Sequence, residues 1–335
     1  MILRTKLFQL IPGLSFLSIL FICYSCKPAE VSQFDKNPSS GHRFDLKKDF
    51  SFTEKKKVEM ILLSESQQGK YETKQIFEYS TNKKMIQFSS NGSFQFERVP
   101  VRFFVEQLTL SGENPHHGNF RYDSAISPDT EIPQHLWTQA KEVGEKLILE
   151  ISSDGKLKSL KDSSQFKKNM IEKGKILFGD ENFSNPIFLN QVEDYYTESA
   201  IEGRILYELE VFVSSTDSIG KTWKTENHVM GNISQLSKYE YISDENGLAK
   251  VEIEVIQGLK KSIKESRENS EHSHFGYTKA EGKTLGTVWV IKGTGWIHHG
   301  SISQNLSYEM EINDPATGKL EKYKTSYRNK TDYSF

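Results

Sequence analysis

Cysteine is almost absent. The 335 residues hold two, Cys23 and Cys26, both in an apolar stretch at the start. The rest of the chain can therefore make neither a disulfide nor a thiolate metal site. Proline is scarce, at nine residues, while 12% of residues are aromatic. A chain so composed can pack a core, which excludes global disorder. Excess charge is missing too: 43 Lys and Arg stand against 45 Asp and Glu. That balance gives no basic stripe of the kind nucleic acid requires. Several catalytic and cofactor signatures are also lacking. There is no HExxH zinc helix, no GxSxG nucleophile elbow and no GxGxxG phosphate turn, so the chemistries those patterns serve have no visible seat.

What is present begins with an export signal. In MILRTKLFQLIPGLSFLSILFICYSC, Arg4 and Lys6 form a positive start. Leu7 to Tyr24 form an apolar core interrupted by Gln9, Pro12 and Gly13, and Ser25 is a small residue ahead of Cys26. This order of charge, apolar run and small residue is the secretory pattern, and it sets residues 1–25 apart as a signal peptide. A retained membrane helix is the alternative. It needs about 20 apolar residues in a row, and Pro12–Gly13 breaks that run. A cysteine after a small residue at the end of such a run resembles a bacterial lipobox. Cys23 and Tyr24 fill the two places before Ser25, as in the relaxed lipoboxes of spirochaetes and Bacteroidota.

The resemblance implies lipidation of Cys26 by a thioether diacylglycerol and an N-acyl chain such as palmitate. At about 0.8 kcal/mol per buried methylene, two or three acyl chains hold a protein firmly on a membrane. Lys27 rather than Asp follows the cysteine. The inner-membrane retention signal of enteric lipoproteins is thus missing, and outer-membrane placement in the cell envelope is favoured. Residues 26–45, with KPAEVSQFDKNPSSG, read as a lipidated cysteine and flexible tether.

From there on alternation dominates. Tyr71, Thr73, Phe77 and Tyr79 share a strand face, as do Val99, Val101, Phe103 and Val105. Pro100 has no N–H for a ladder, so that strand lies at an edge or carries a bulge. Leu147, Leu149 and Ile151 lead into Asp154–Gly155, a hairpin signal because Gly accepts the positive φ of the turn. Ile205, Tyr207, Leu209, Val211 and Val213 form the cleanest alternating face. Asn246–Gly247 marks a second hairpin, before Val251, Ile253 and Val255, and DPATG (Asp314 to Gly318) a third turn, after Leu306, Tyr308, Met310 and Ile312. Two helices are expected. One covers 132–146, with Leu136, Ala140 and Val143 as its stripe. The other starts near Ser163, with Ser163 or Ser164 as cap and Gly174 or Gly179 as stop. The charged stretch 258–284 reads as a long exposed loop.

The candidate chemistry is thin. Histidine pairs occur at His116–His117, at His272 and His274, and at His298–His299, without acidic or Cys ligands at helpful spacing. Solvated histidines account for them better than a closed site does. Gly293 to Trp296 reads as a turn between late strands. Glu193–Asp194 is a pair of solvated loop charges, since neighbouring carboxylates seldom face each other across a cleft. Asp244 to Gly247 lacks the later ligands of a calcium loop. Trp289 and Trp296, with the tyrosines of the last strands, either line a ligand groove or belong to ordinary core pairing.

FRYDS (Phe120 to Ser124), ILEISSDGKLKSL (Ile148 to Leu160), IGKTW (Ile219 to Trp223) and the final DPATGKLEKYKTSY region resemble an uncharacterised group of exported lipoproteins in Bacteroidota and spirochaetes. The resemblance implies a domain of unknown function and carries over no catalytic residue. The reading is a mainly β, α+β fold over 46–335, made of curved antiparallel sheet with about two helices on one side and a loose plan of two similar halves, 46–190 and 200–335. Functionally it is a non-enzymatic binding or structural module of the envelope, without cofactor, metal or catalytic residues. It is held to the membrane through Cys26 and is open to an envelope protein or an apolar ligand as partner. A carrier of lipid or another apolar ligand, in a cavity between sheet and helices, is the alternative.

Overall fold

The alternating runs pair into one antiparallel sheet. The computed structural model describes residues 49–335, apart from 67–68, 91, 112–119, 128–135, 184–191, 194, 215, 231–232, 246, 260–274 and 314–319. In chain order the elements are β1 (Ser51–Ser66), β2 (Gly69–Phe88), β3 (Phe94–Ser111), β4 (Phe120–Asp123), α1 (Trp137–Lys141), β5 (Leu147–Ile151), β6 (Leu157–Lys161), α2 (Ser163–Phe183) and α3 (Glu198–Leu209). There follow β7 (Thr222–Met230), β8 (Ile233–Glu245), β9 (Leu248–Leu259), β10 (Phe275–Ile291), β11 (Trp296–Asn313) and β12 (Leu320–Ser334). The 12-stranded sheet runs β6-β5-β3-β2-β1-β12-β11-β10-β9-β8-β7, with β4 added to β3. It does not close. The expected mainly β, α+β class is what the chain adopts.

Pairing of β1 with β12 joins a first limb, β1–β6, to a second, β7–β12. Period-2 patterning gives each limb two faces. The outer face is charged and laced by pairs such as Lys57–Glu106 at 2.8 Å and Lys283–Glu254 at 3.2 Å. Exposed pairs of this kind add about 0–1 kcal/mol each, so they keep the face wet more than they hold the fold. The inner face is buried along both limbs.

The sheet curls so that its limbs face one another. Glycines at inner positions help: a Cβ at Gly282 would fall 2.2 Å from Leu306 Cδ2, and one at Gly286 would fall 2.8 Å from Ile302 Cγ1. Missing side chains there let adjacent strands bend inward. At one end, here the base, a single core takes Phe52, Phe96, Phe103 and Leu149 from the first limb and Ile291 and Trp296 from the second. It also takes Trp137 from α1, Phe166 and Met170 from α2, and Ile201, Ile205 and Leu209 from α3. In the sheet, β5 and β10 are well separated strands, so sharing this core requires the curl.

Several local expectations change. The run Ile205 to Val213 is not a strand. It is the end of α3 and the segment leaving it. Ile201, Ile205 and Leu209 are spaced by four, so the alternating run also makes a helical stripe, and core burial selects the helix. The Thr197 hydroxyl accepts from Ala200 N–H at 3.2 Å and caps the start. α1 is shorter than 132–146, and residues 132–135 lie outside the described residues. After α1, Gly144 at φ 84 turns the chain, and its N–H donates to Pro100 O at 2.8 Å. α2 starts at Ser163 and passes Gly174, and Gly179 at φ 76 interrupts it. Of the expected charged loop, Gly258 and Leu259 are the end of β9 and the part from Phe275 onward is β10. There the charges Lys279, Glu281 and Lys283 take outer positions, and Ala280, Gly282 and Thr284 take the inner ones. Residues 260–274 lie outside the described residues.

Pro100 is inside the sheet at a register slip between Ser80 and Thr81, the bulge rather than the edge. Asp154–Gly155 turns β5 into β6, with Ser152 N–H donating to Lys156 O at 2.8 Å. Asn246 and 314–319 are outside the described residues, although the strands they join are paired.

Candidate functional site

The inner face is apolar at the base and becomes aromatic at the far end, the apex. There Met60, Leu62, Tyr277, Leu306, Tyr308 and Tyr327 cluster. Between the two lies a polar belt. Its existence follows from register. Successive strand pairs place Thr225 beside Ser237, Ser237 beside Val255, and Val255 beside Thr284. Thr284 then meets Gln304, Gln304 meets Asn329, Asn329 meets Met60, and Met60 meets Gln75. One row toward the apex, Gln235 stands beside Gln257, and Leu62 beside Thr73. No Asp, Glu, Lys, Arg or His occurs in either row, although 26% of the chain is charged.

Part of the belt is self-satisfied. Tyr308 OH donates to Gln257 Oε1 at 3.2 Å, Gln257 Nε2 donates to Gln235 Oε1 at 2.6 Å, and Gln235 Nε2 donates to Ser237 Oγ at 3.3 Å. Both ends of the row are not. Gln75 is 2% exposed, and its Nε2 has no partner among the described residues, nor has the buried Thr225 Oγ1. Gln75 stands between Met60 and Leu108, whose side chains offer no acceptor stronger than a thioether sulfur. A buried donor left unpaired costs about 1–3 kcal/mol, so within the belt these two positions gain most from a polar ligand; Trp296 Nε1 is likewise without a partner among the described residues but lies in the basal core.

The base is tied shut. The segment after α3 crosses from one limb to the other. Trp223 Nε1 donates to Glu210 O at 3.0 Å, Tyr239 OH donates to the Glu210 carboxylate, and Gly293 N–H donates to Val213 O at 2.7 Å. Lys292 Nζ donates to Tyr241 OH and to Asp244 Oδ2, each at 3.0 Å. Burial and the Asp244 carboxylate push the Tyr241 phenol up, so it stays neutral. On the first limb, Lys83 Nζ lies 3.0 Å from Glu54 Oε2 with both side chains buried. Near the apex a groove with a cavity of about 330 Å³ lies mainly on the outer face, where Glu65, Glu309, Glu311, Lys322 and Lys324 line it beside Thr278, Met310 and Tyr323. Thr278 is the extra residue of a bulge in β10, and Met310 packs against the apical cluster.

The residues singled out in the sequence do not converge. Cys26 and its flanks, His116, His117, His272 and His274 lie outside the described residues. His298 is the extra residue of a bulge in β11, which turns its ring onto Phe52 and Phe335. Its Nδ1 lies 2.9 Å from His299 Nδ1. Burial first, and the neighbouring His299 second, hold His298 below the usual imidazole range. Trp296 is core, whereas Trp289 stacks on His299 at 4.5 Å and donates to Glu245 at 2.8 Å. The two tryptophans line no common groove. Glu193, 4.0 Å from Lys167, keeps its side chain partly exposed, Asp194 lies outside the described residues, and Tyr195 and Tyr196 enter the basal core. Asp244 binds Lys292, and Gly293 to Gly295 make the expected turn.

The belt itself escaped the sequence reading. Its signal was there: Gln235 and Ser237 occupy the same parity as Ile233, Tyr239 and Tyr241. Among the described residues no three His, Cys, Asp or Glu side chains gather as metal ligands, and no helix is long and apolar enough to cross a membrane. Compared with known proteins, the chain matches no family model and no curated sequence.

Proposed function

We propose that the protein is a membrane-anchored module of the cell envelope that binds an uncharged polar ligand, without chemistry, along the inner face of its curled sheet. The belt carries this reading. Neutral amides and hydroxyls interrupt an otherwise apolar face, and Gln75 and Thr225 bring unpaired polar atoms to it. An acyl chain laid on the belt would leave these groups unpaired at about 1–3 kcal/mol each. The core facing the helices is filled, with Phe103, Leu149, Ile151 and Met170 fully buried. Both observations weigh against a lipid carrier. Because the belt is buried, a ligand reaches it when the limbs part. The apex is the place for this, since the base is held by the crossing segment and by the core that both limbs share. The anchor reading rests on Cys26 and the segment before it.

One preparation tests both parts. Residues 26–335 with Cys26→Ser, placed behind an ordinary cleavable secretory signal in place of residues 1–25, are expressed in a bacterial periplasm, purified, and analysed by mass spectrometry for bound small molecules. The expected result is soluble protein carrying an uncharged polar molecule, which Gln257→Leu releases. A stoichiometric lipid would favour the carrier. Protein empty in every preparation would make the belt a device of folding specificity alone.

A further inference from the structure

The sheet is open, and its two ends differ. β6, at one end, has five residues and packs beside α3. β7, at the other, has nine, and among the described residues no strand pairs with its free side. Native proteins blunt such edges, usually with charge. Lys224 would serve, yet Glu226 follows it two residues later on the same exposed outer face. That pairing changes what the edge repels.

We infer that β7 is a self-complementary docking edge for a second copy of the chain. Two copies of β7 run antiparallel about a two-fold axis through Thr225, so that residues 222 to 228 of one lie against 228 to 222 of the other. In this register each Lys224 stands opposite the other copy's Glu226, giving two symmetric ion pairs. Directly opposite charges stabilise a strand pair, and like charges destabilise it. Within one copy Lys224 faces Lys238 of β8, which is itself paired with Glu254 at 3.6 Å, so Lys224 is the member of the like pair that a partner carboxylate serves. At the axis the two Thr225 side chains meet on the inner side. An interface of this kind is isologous, as in most homodimers. It does not depend on what the inner face binds.

Light scattering after gel filtration tests this on the Cys26→Ser protein. The expected mass is that of a dimer. Lys224→Glu and Glu226→Lys each place like charges at both positions and weaken the dimer by about tenfold or more. Mixed together, the two single variants recover it, because each then meets its opposite. Under mild oxidation Thr225→Cys in the same background closes a disulfide between copies, as only a two-fold axis at that residue allows. A protein that is monomeric at high micromolar concentration overturns the inference. So does a dimer indifferent to both charge reversals, or a Thr225→Cys protein that forms no crosslink.

Discussion

The contact that ties the limbs at the base can be measured. Gly155, in the β5–β6 turn, has φ 83, and a Cβ there would lie 2.4 Å from Phe212 Cγ, 2.5 Å from Cδ1 and 2.9 Å from Cβ. Phe212 belongs to the crossing segment, and a Cβ on Gly295, in the β10–β11 turn, would meet the same ring at 3.4 Å. Gly155→Ala therefore incurs two costs. A left-handed backbone costs a residue with a Cβ about 1–2 kcal/mol, and overpacking adds about 1–3 kcal/mol. Phe212 Cβ, which no rotamer change moves, would still lie 2.9 Å away, so such a change relieves only part of the clash. Phe212→Ala removes a partly buried ring and costs about 2 kcal/mol, less than the 3–5 kcal/mol of a fully buried one. In the double variant the ring clash disappears, while the backbone strain and the close Cβ contact at 2.9 Å stay. The double loss should therefore be smaller than the sum of the single losses by about 1–2 kcal/mol. Urea unfolding of the four proteins, with equal m values as the check on two-state behaviour, gives that coupling. Losses additive within about 0.5 kcal/mol would mean that the β5–β6 turn and the crossing segment do not touch. The tied base would then have to be abandoned.

Two further outcomes follow from charges held inside the sheet. Lys83→Met strands the buried Glu54 carboxylate and should cost about 3–5 kcal/mol, whereas Lys83→Met with Glu54→Leu should restore most of it; equal losses in urea unfolding would refute a coupled pair. His298 has a folded-state pKa lowered by burial and by His299. Its contribution is thus fully present above the unfolded value of about 6.5 and is lost as pH falls from there through the folded value. Thermal unfolding between pH 8 and 5 should show a stability loss on acidification that His298→Phe reduces. An unchanged pH profile in that variant would place the acid sensitivity elsewhere.

Strands whose outer positions are polar and inner positions apolar were legible one by one, because a half-buried strand must alternate. Tyr239 and Tyr241, Val251 to Val255, and Leu306 to Tyr308 all fall where alternation puts them. Hairpins at Asp154–Gly155 and at 293–295 were legible through glycine. The failures have two causes. Ile205 to Leu209 satisfies both a strand and a helix period, and only the Thr197 cap and the basal core decide between them. Phe275 to Thr284 hides its inner face because that face carries small residues, Ala280 and Gly282, where the curl leaves no room for large ones. Apolarity is the usual marker of an inner position, and close approach of strands removes it.

The belt was illegible for a stronger reason. Gln75, Thr225, Ser237, Thr284, Gln304 and Asn329 come from six strands, and no window of sequence holds two strands in register. Only the pairing Met60–Gln75 at one end and Thr225–Ser237 at the other makes them a row. Each breaks the rule that inner positions be apolar, and each would be a local defect if it stood alone. Placed side by side, and joined by Gln257 and Tyr308, they instead form a surface of one chemical character. A sequence that departs from its own pattern at matched positions on separate strands loses stability there, since Gln75 keeps an unpaired donor. Departures of that kind are expected at functional sites, where binding rather than folding sets the residue. The same logic separates the belt from the buried Lys83–Glu54 pair. The pair is complete within the protein and so reads as structure. The belt is incomplete at both ends of its row, and it is at such ends that a ligand can contribute what the fold does not.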